Sequence, residues 1–208
     1  EAVSKGIKNI VISQHISIND EGVNIFMVED TLKALQKLAA YHRMAFPTLE
    51  VLAITGSNGK TTVKEWLSQL IHDRRVVKSP KSYNSQTGVA LSLWQISEGD
   101  RLGIFEAGIS KVGEMETLEK MIKPDIGVFT MIGDAHAEGF QSRLLKLSEK
   151  LKLFKNTKTI IFCEDDIEVS TAIKNMYKSR NLMSWGRKPE SSLFVVCDEK
   201  HTSSGKVL

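Results

Sequence analysis

The stretch Gly56-Ser-Asn-Gly-Lys-Thr-Thr62 groups residue types that together can hold phosphate. Gly56 and Gly59 let the backbone approach an anion closely and turn its N–H groups inward. Lys60 offers a cation for β- and γ-phosphates, and the Thr61 hydroxyl can ligate Mg²⁺. Ser57, Asn58 and Thr62 complete the turn. A helix opening at Lys60 adds unpaired N–H groups and the positive end of its dipole. The longer phosphate-loop pattern G-x-x-x-x-G-K-[ST] asks for glycine where this chain has Ile54, so the loop here is the shorter G-x-x-G-K-T. An ordinary glycine turn with solvated Lys60 and Thr61 is the bland alternative. The apolar strand before the loop and the helix with Val63, Trp66, Leu67 and Leu70 at helical spacing favour the phosphate reading.

Further candidates lie at other strand ends. Glu106 closes an apolar run beside Ala107 and Gly108, where a buried carboxylate needs a partner. It serves either a Mg²⁺ opposite the phosphate loop or a cap or rim salt bridge. His136 follows another apolar run, between Asp134 and Glu138; it could be a metal ligand, a base or a hydrogen-bonded loop residue, and spacing alone slightly favours the last. Tyr83-Asn84-Ser85-Gln86 is a polar loop that either touches a ligand or caps the next helix. Lys150 shares a helix with Lys146 and Lys152, and periodicity alone reads that face as solvated, beside an apolar stripe of Leu147, Leu151 and Phe154.

The elements that must position these residues alternate. Apolar runs predict strands over 49–54, 74–78, 102–106, 125–131, 158–163 and 181–185, and 3.6-residue periodicity predicts helices over 60–72, 88–97, 114–122, 141–155 and 167–178. Strands 49–54, 125–131 and 158–163 are nearly continuous in apolar residues, as when both faces are covered. The expected fold is therefore α/β, a mostly parallel sheet flanked by helices. Phe194–Cys197 reads as one more strand, antiparallel at an edge. Ligands of such sheets sit beyond the carboxyl ends of the strands, where the glycine loop, Glu106 and the His136 loop all fall. Before residue 47, Ile7–Ser13 and Val23–Val28 read as short β-runs. Asp30-Thr31 caps a helix with Leu32, Leu35, Leu38 and Ala39 on one face, and Pro47 closes it.

The 208 residues, 41% apolar and 25% charged, allow one large domain or one domain with a piece of another. A net charge of +3 from scattered basic residues gives no sign of nucleic acid as a partner. No apolar run reaches membrane-spanning length and no signal peptide is visible. Cys163 and Cys197 fit no metal or redox spacing and read as buried free thiols of a reducing compartment, the cytoplasm. The chain begins without Met, and its opening residues read as the tail of a preceding domain.

Five motifs in order resemble the Mur ligase family, the ATP-dependent amide-bond ligases of peptidoglycan synthesis. They are Thr55-Gly-Ser-Asn-Gly-Lys-Thr-Thr62, Tyr83-Asn-Ser-Gln-Thr-Gly88, Phe105-Glu-Ala-Gly-Ile-Ser110, Gly133-Asp-Ala-His-Ala-Glu-Gly-Phe140 and Glu149-Lys-Leu-Lys-Leu-Phe154. The resemblance spans about residues 20–166 and is closest to the D-alanyl-D-alanine-adding (MurF) type, in the form fused to an alanine racemase. It implies ATP as cofactor and UDP-MurNAc-tripeptide and D-Ala-D-Ala as substrates, joined through an acyl phosphate. It also implies Lys60 on the β/γ-phosphates, Thr61 and Glu106 on one Mg²⁺, His136 on a second, and Lys150 at the family's carbamylated-lysine position. Asn84 is carried over as a nucleotide or substrate contact, although this chain has Asn84-Ser85 where the type has Asn-Asn. By the same resemblance, residues 1–46 are the end of a UDP-sugar-binding domain with its connecting helix, and residues 47–208 are the central ATP-binding domain. A C-terminal ligase domain is expected elsewhere in the same polypeptide, so the 208 residues alone are expected to be inactive. A folylpolyglutamate synthase-like ligase and a non-catalytic nucleotide-binding module are the competing readings.

Overall fold

The computed structural model describes residues 1–16, 22–133, 139–187, 189–194, 201–202 and 205–206. Strands β1 (Asn9–Ile12) and β2 (Asn24–Met27) come first, followed by α1 (Thr31–Met44). Alternation then runs β3 (Glu50–Thr55), α2 (Lys60–Leu70), β4 (Val76–Lys78), α3 (Gln86–Leu93), β5 (Leu102–Glu106), α4 (Glu114–Ile122) and β6 (Ile126–Phe129). It continues through α5 (Arg143–Leu151), β7 (Thr159–Cys163), α6 (Ile167–Met176), β8 (Asn181–Gly186) and β9 (Leu193–Phe194). The pair β10 (His201–Thr202) and β11 (Gly205–Lys206) is antiparallel.

Strands β3 to β9 form one seven-stranded sheet in the order β4-β5-β3-β6-β7-β8-β9, parallel at every pairing. The expected α/β architecture is therefore present. β9 departs from expectation: Leu193 and Phe194 pair in parallel with Trp185 and Gly186, not antiparallel at an edge. Val195–Cys197 lie outside the described residues. β1 and β2 also pair in parallel, Asn9 with Asn24 through Ile12 with Met27.

The sheet is covered on both faces, which is why its central strands read as unbroken apolar runs. Val51 and Ala53 of β3 point into the larger core, with Phe105, Phe129, Leu118 of α4 and Leu147 of α5. Leu52 and Ile54 point the other way, onto Val63, Leu67 and Ile71 at α2 and its end. Helix α2 thus buries a narrower stripe than its apolar residues suggested. Trp66 and Leu70, expected on that stripe, are 64% and 74% exposed. Cys163 is free and half-buried rather than buried, being the last residue of β7.

Helix α1 starts at the Asp30 cap, whose carboxylate accepts the Lys33 N–H at 3.0 Å. It packs on α3 and α4. Near its end the buried Arg43 donates to the carbonyls of Phe46 (2.9 Å), Ile122 (3.2 Å) and Leu49 (3.3 Å). One side chain thereby satisfies the end of α4 and the entry to β3. Burial pulls the Arg43 guanidinium below its ordinary value, and Asp125 opposes the shift.

Candidate functional site

The chain leaves β3 at Thr55 and turns at once through Gly56, whose φ of 139° lies outside the range of L side chains. A Cβ there would overlap the Thr130 hydroxyl and sit 2.9 Å from the Met131 carbonyl. The segment leaving β6 therefore braces the glycine loop. The Ser57 N–H donates to the Met131 carbonyl (2.7 Å), the Gly133 N–H to the Ser57 hydroxyl (2.9 Å), and the Thr130 hydroxyl to the Asn58 carbonyl (2.6 Å). Gly59 caps α2 with a left-handed φ of 83°, and the exposed Thr62 lies in the first turn. Lys60 folds back over the loop, donating to the carbonyls of Gly56 (2.8 Å) and Ser57 (3.1 Å). The first turn of α2, whose N–H groups have no partner within the helix, opens directly after this loop, an arrangement suited to an anion.

Because β3 lies between β5 and β6, the three strand ends that carry chemistry are neighbours. Ile54 pairs with Glu106 in register, and the Ala107 N–H donates to the Ile54 carbonyl at 2.8 Å. Glu106 is fully buried. The Thr61 hydroxyl donates to its Oε2 at 3.0 Å, and its own N–H donates to the Ser79 hydroxyl at 3.2 Å. Its Oε1 lies 3.0 Å from the Lys64 ammonium yet accepts no well-aligned hydrogen bond. Four oxygens crowd Lys64 Nζ: those of Glu106, Glu65 (3.1 Å), the Ser79 carbonyl (2.8 Å) and the Lys81 carbonyl. An ammonium has three protons, so one acceptor goes short. Hydrogen bonds from Lys78 and Lys64 hold the Glu65 carboxyl below the usual carboxylate range.

A carboxylate oxygen and a threonine hydroxyl side by side at the phosphate loop suit a hard divalent cation such as Mg²⁺. Among the described residues no group of three or more histidine, cysteine or carboxylate side chains is placed to hold a metal. His136, with Asp134 and Glu138, lies outside the described residues.

Helix α5 corrects the expectation of a solvated basic face: Lys146 and Lys150 are both 1% exposed. The face turns inward because Leu147 and Leu151 of the same helix belong to the core. Lys150 Nζ reaches the Gly56 carbonyl at 3.3 Å, and Lys146 Nζ reaches the Gly133 carbonyl at 3.3 Å. Lys60 and Lys150 thus converge on one carbonyl oxygen. Carbamylation of Lys150 fits that crowding, since it replaces one of two neighbouring ammonium groups with a carboxylate-like one while keeping an N–H. Glu149, also buried, accepts the Gly113 N–H at 2.7 Å and the Met115 N–H at 3.4 Å, docking the start of α4 on α5. It also raises the Lys152 ammonium above its ordinary value through their hydrogen bond.

Beside Lys60 and Lys150 opens a cavity of about 450 Å³, bordered also by Asn84, Gln86, Ser110 and Glu114. Asn84 packs against Gly108, where an added Cβ would meet its Oδ1 at 2.9 Å, and its carbonyl accepts the Gly108 N–H at 2.8 Å. Ser85 caps α3, accepting the Gly88 N–H at 3.1 Å. Gln86 accepts from Gln36 of α1 (2.9 Å) and donates to the Glu114 carbonyl (3.1 Å), joining three helices at the rim. The structure therefore brings together Gly56, Ser57, Asn58, Gly59, Lys60, Thr61, Glu106 and Lys150, with Asn84 on the cavity wall.

Sequence reasoning passed over Lys64 and Thr130, and took Lys146 only as part of a solvated face. Lys64 carried a signal: it is in line with Leu67 and Ile71, on a stripe where a charge needs a buried partner.

Comparison with known proteins identifies the family and the fold. Residues 54–207 match the family model described as the Mur ligase middle domain. The chain is 32% identical over 207 residues to UDP-N-acetylmuramoyl-tripeptide–D-alanyl-D-alanine ligase of Rickettsia prowazekii, covering 94% of this chain and 44% of that protein. It is 36% identical over 163 residues to the ligase of the same name from Treponema pallidum, covering 74% and 36%. MurF ligase from Thermotoga maritima, solved in complex with ADP, superposes with a TM-score of 0.79 at 29% identity, over 90% of this chain and 43% of that one. The chain thus spans less than half the length of the relatives it matches. A family model matched over residues 54–207, together with identity above 30% to two ligases across most of the chain, shows that the chain belongs to the Mur ligase family.

Proposed function

We propose that this chain is the ATP-binding centre of a peptidoglycan-precursor ligase that adds D-Ala-D-Ala to UDP-MurNAc-tripeptide. One observation carries the reading: Lys60 on the glycine loop stands beside the Thr61–Glu106 oxygen pair at the middle of the sheet edge. That arrangement suits a nucleotide triphosphate, with Gly56–Thr62 around its phosphates and Lys60 toward the β/γ end. Thr61 and Glu106 would hold a Mg²⁺, and His136 with carbamylated Lys150 would serve a second. Bound Mg²⁺ supplies positive charge against which phosphate oxygens are neutralised. Asn84 on the cavity wall would touch nucleotide or peptide substrate.

The reaction this serves joins a carboxylate to an amine. A carboxylate oxygen of the tripeptide bonds to the γ-phosphorus, the bond from that phosphorus to the β–γ bridging oxygen breaks, and ADP leaves. The D-Ala-D-Ala amine then attacks the acyl carbon, inorganic phosphate departs, and the nitrogen gives up a proton. The protein contributes position and charge neutralisation rather than a nucleophile of its own. In this reading residues 1–46 close a sugar-nucleotide domain and residues 47–208 form the ATP-binding domain. A further ligase domain of the same polypeptide completes the site, and the setting is cytoplasmic. Identity above 30% to two tripeptide ligases favours this substrate over a folate one. The resemblance to a form fused to an alanine racemase draws no support from these relatives, which are named as ligases.

The test is calorimetry of ATP binding to the chain with and without Mg²⁺, with Lys60→Ala as control. Mg²⁺-dependent binding, lost in the variant, is the expected result. Equal binding by Lys60→Ala would remove the loop from the site. Absence of ATP binding both here and in the longer polypeptide would remove the function.

A further inference from the structure

Lys64 has no exposed surface, and its ammonium stands on the far side of the Glu106 carboxylate from Thr61. It follows Thr61 by three positions on α2, so both project from one helix face. Thr61 donates a hydrogen bond to Oε2 of Glu106, whereas Lys64 forms an ion pair with Oε1 without a well-aligned hydrogen bond, at 3.0 Å each. The same ammonium donates to the Ser79 and Lys81 carbonyls, so it cannot follow the carboxylate if that group rotates. The Ser79 hydroxyl, in turn, accepts the Glu106 N–H. Glu106 is thus held by Thr61, Lys64 and Ser79, with Oε2 at Thr61 in the first turn after the glycine loop.

We propose that Lys64 is a positioning residue for the divalent cation. It pins Oε1 of Glu106 so that Oε2 and the Thr61 hydroxyl are presented together as a preset pair of oxygen ligands. This inference rests on the nucleotide-binding reading and adds to it a residue that touches neither nucleotide nor cation. Two opposing effects decide the sign of removing it. Loss of the ammonium removes a like charge, which favours the cation. It also frees a buried carboxylate whose orientation sets the ligand geometry, and Mg²⁺ tolerates misplaced ligands poorly. Loss of an outer partner of a metal ligand commonly weakens metal binding by about 10–100-fold, so the orienting effect wins.

The experiment compares wild type, Lys64→Gln, Lys64→Arg and Glu106→Gln for ADP binding by calorimetry across a Mg²⁺ titration. Mn²⁺ binding, read by electron paramagnetic resonance, is the second measurement, and circular dichroism confirms folding. Lys64→Gln keeps donors for the two carbonyls but not the charge. It is expected to raise the half-saturating Mg²⁺ and Mn²⁺ concentrations about tenfold or more and to leave metal-free ADP binding unchanged. Lys64→Arg, which keeps the charge, is expected within about threefold of wild type. Should Lys64→Gln not fold, Lys64→Met, which also removes the charge and fills similar space, takes its place in the same titrations. Half-saturating cation concentrations unchanged from wild type in a folded Lys64→Met overturn the proposal. A folded Lys64→Gln with wild-type half-saturation for both cations also overturns it, leaving Lys64 as a staple of the Ser79–Lys81 loop. The nucleotide reading fails differently: wild type would then bind no Mg²⁺–ADP, or Glu106→Gln would bind it as wild type does.

Discussion

At the scale of single residues, the site depends on atoms that lie where a different side chain could not. Gly56 is the sharpest case, because two independent constraints meet there. Its φ of 139° strains any L residue, and the space a Cβ would need is filled by Thr130 and the Met131 carbonyl. Gly56→Ala is therefore expected to destabilise the fold by on the order of 3 kcal/mol, from backbone strain and overpacking together. It should also abolish nucleotide binding, because the loop can relieve the clash only by leaving β6. Chemical denaturation and calorimetry check the two parts, and a stable Gly56→Ala that still binds ADP would contradict the geometry. The glycine turn between β3 and α2 and the place of Glu106 at the end of β5 were legible in the sequence, because glycine spacing and an acid ending an apolar strand are local signals. The role of Lys64 was not legible, because burial of a charge depends on four oxygens contributed by three separate segments.

At the scale of elements, the order strand–loop–helix was readable almost throughout, since unbroken apolar runs mark the buried strands and a 3.6-residue period marks most of the helices. Errors arose where two elements compete for one surface. Lys146 and Lys150, one turn apart, look like a solvated face until α5 is packed against the sheet edge. Trp66 and Leu70 look buried until α2 is seen to be served by a small core on its side of the sheet. What holds α5 in place is partly polar. At its last residue the Leu151 carbonyl accepts the Tyr177 hydroxyl, from the end of α6, at 2.6 Å. Burial pushes the Tyr177 phenol up to about 12. The folded protein therefore keeps this proton to about pH 12, whereas the unfolded chain releases it near pH 10. The contribution to stability is complete below about pH 10 and is lost as pH rises toward 12, because there the unfolded state binds fewer protons. Tyr177→Phe is expected to cost about 1 kcal/mol at pH 7 through the lost hydrogen bond. It should also flatten the fall in stability between about pH 10 and 12. Denaturant midpoints at pH 7, 9.5 and 11 test both, and an unchanged alkaline slope would assign the loss to other groups.

At the scale of the whole molecule, the question is how much of a ligase 208 residues can be. Strand β3 sits inside a seven-stranded sheet, with an apolar core on each face, so the glycine loop that follows it rests on an interior that this chain builds for itself. Nucleotide binding is therefore expected of the chain as it stands. Ligation is not: the relatives that share its sequence are more than twice its length, and three reactants must be held at once. The two expectations separate in one sample. ADP with Mg²⁺ at about a hundred times its Kd should add about 2.7 kcal/mol to stability. For a chain of this size that corresponds to a rise in Tm of roughly 5–10 °C. Lys60→Ala should show no such rise. The same wild-type protein, given ATP, Mg²⁺, UDP-MurNAc-tripeptide and D-Ala-D-Ala, should release phosphate no faster than its background hydrolysis, and the longer polypeptide should release it in step with amide formation. A melting shift without ligation divides the labour as argued here: this chain binds the nucleotide and sets its charges, and the remainder of the polypeptide brings the carboxylate and the amine. Efficient ligation by the 208 residues alone would mean that the cavity beside Lys60 and Lys150 holds both acceptor and donor unaided, and the proposed division would be wrong.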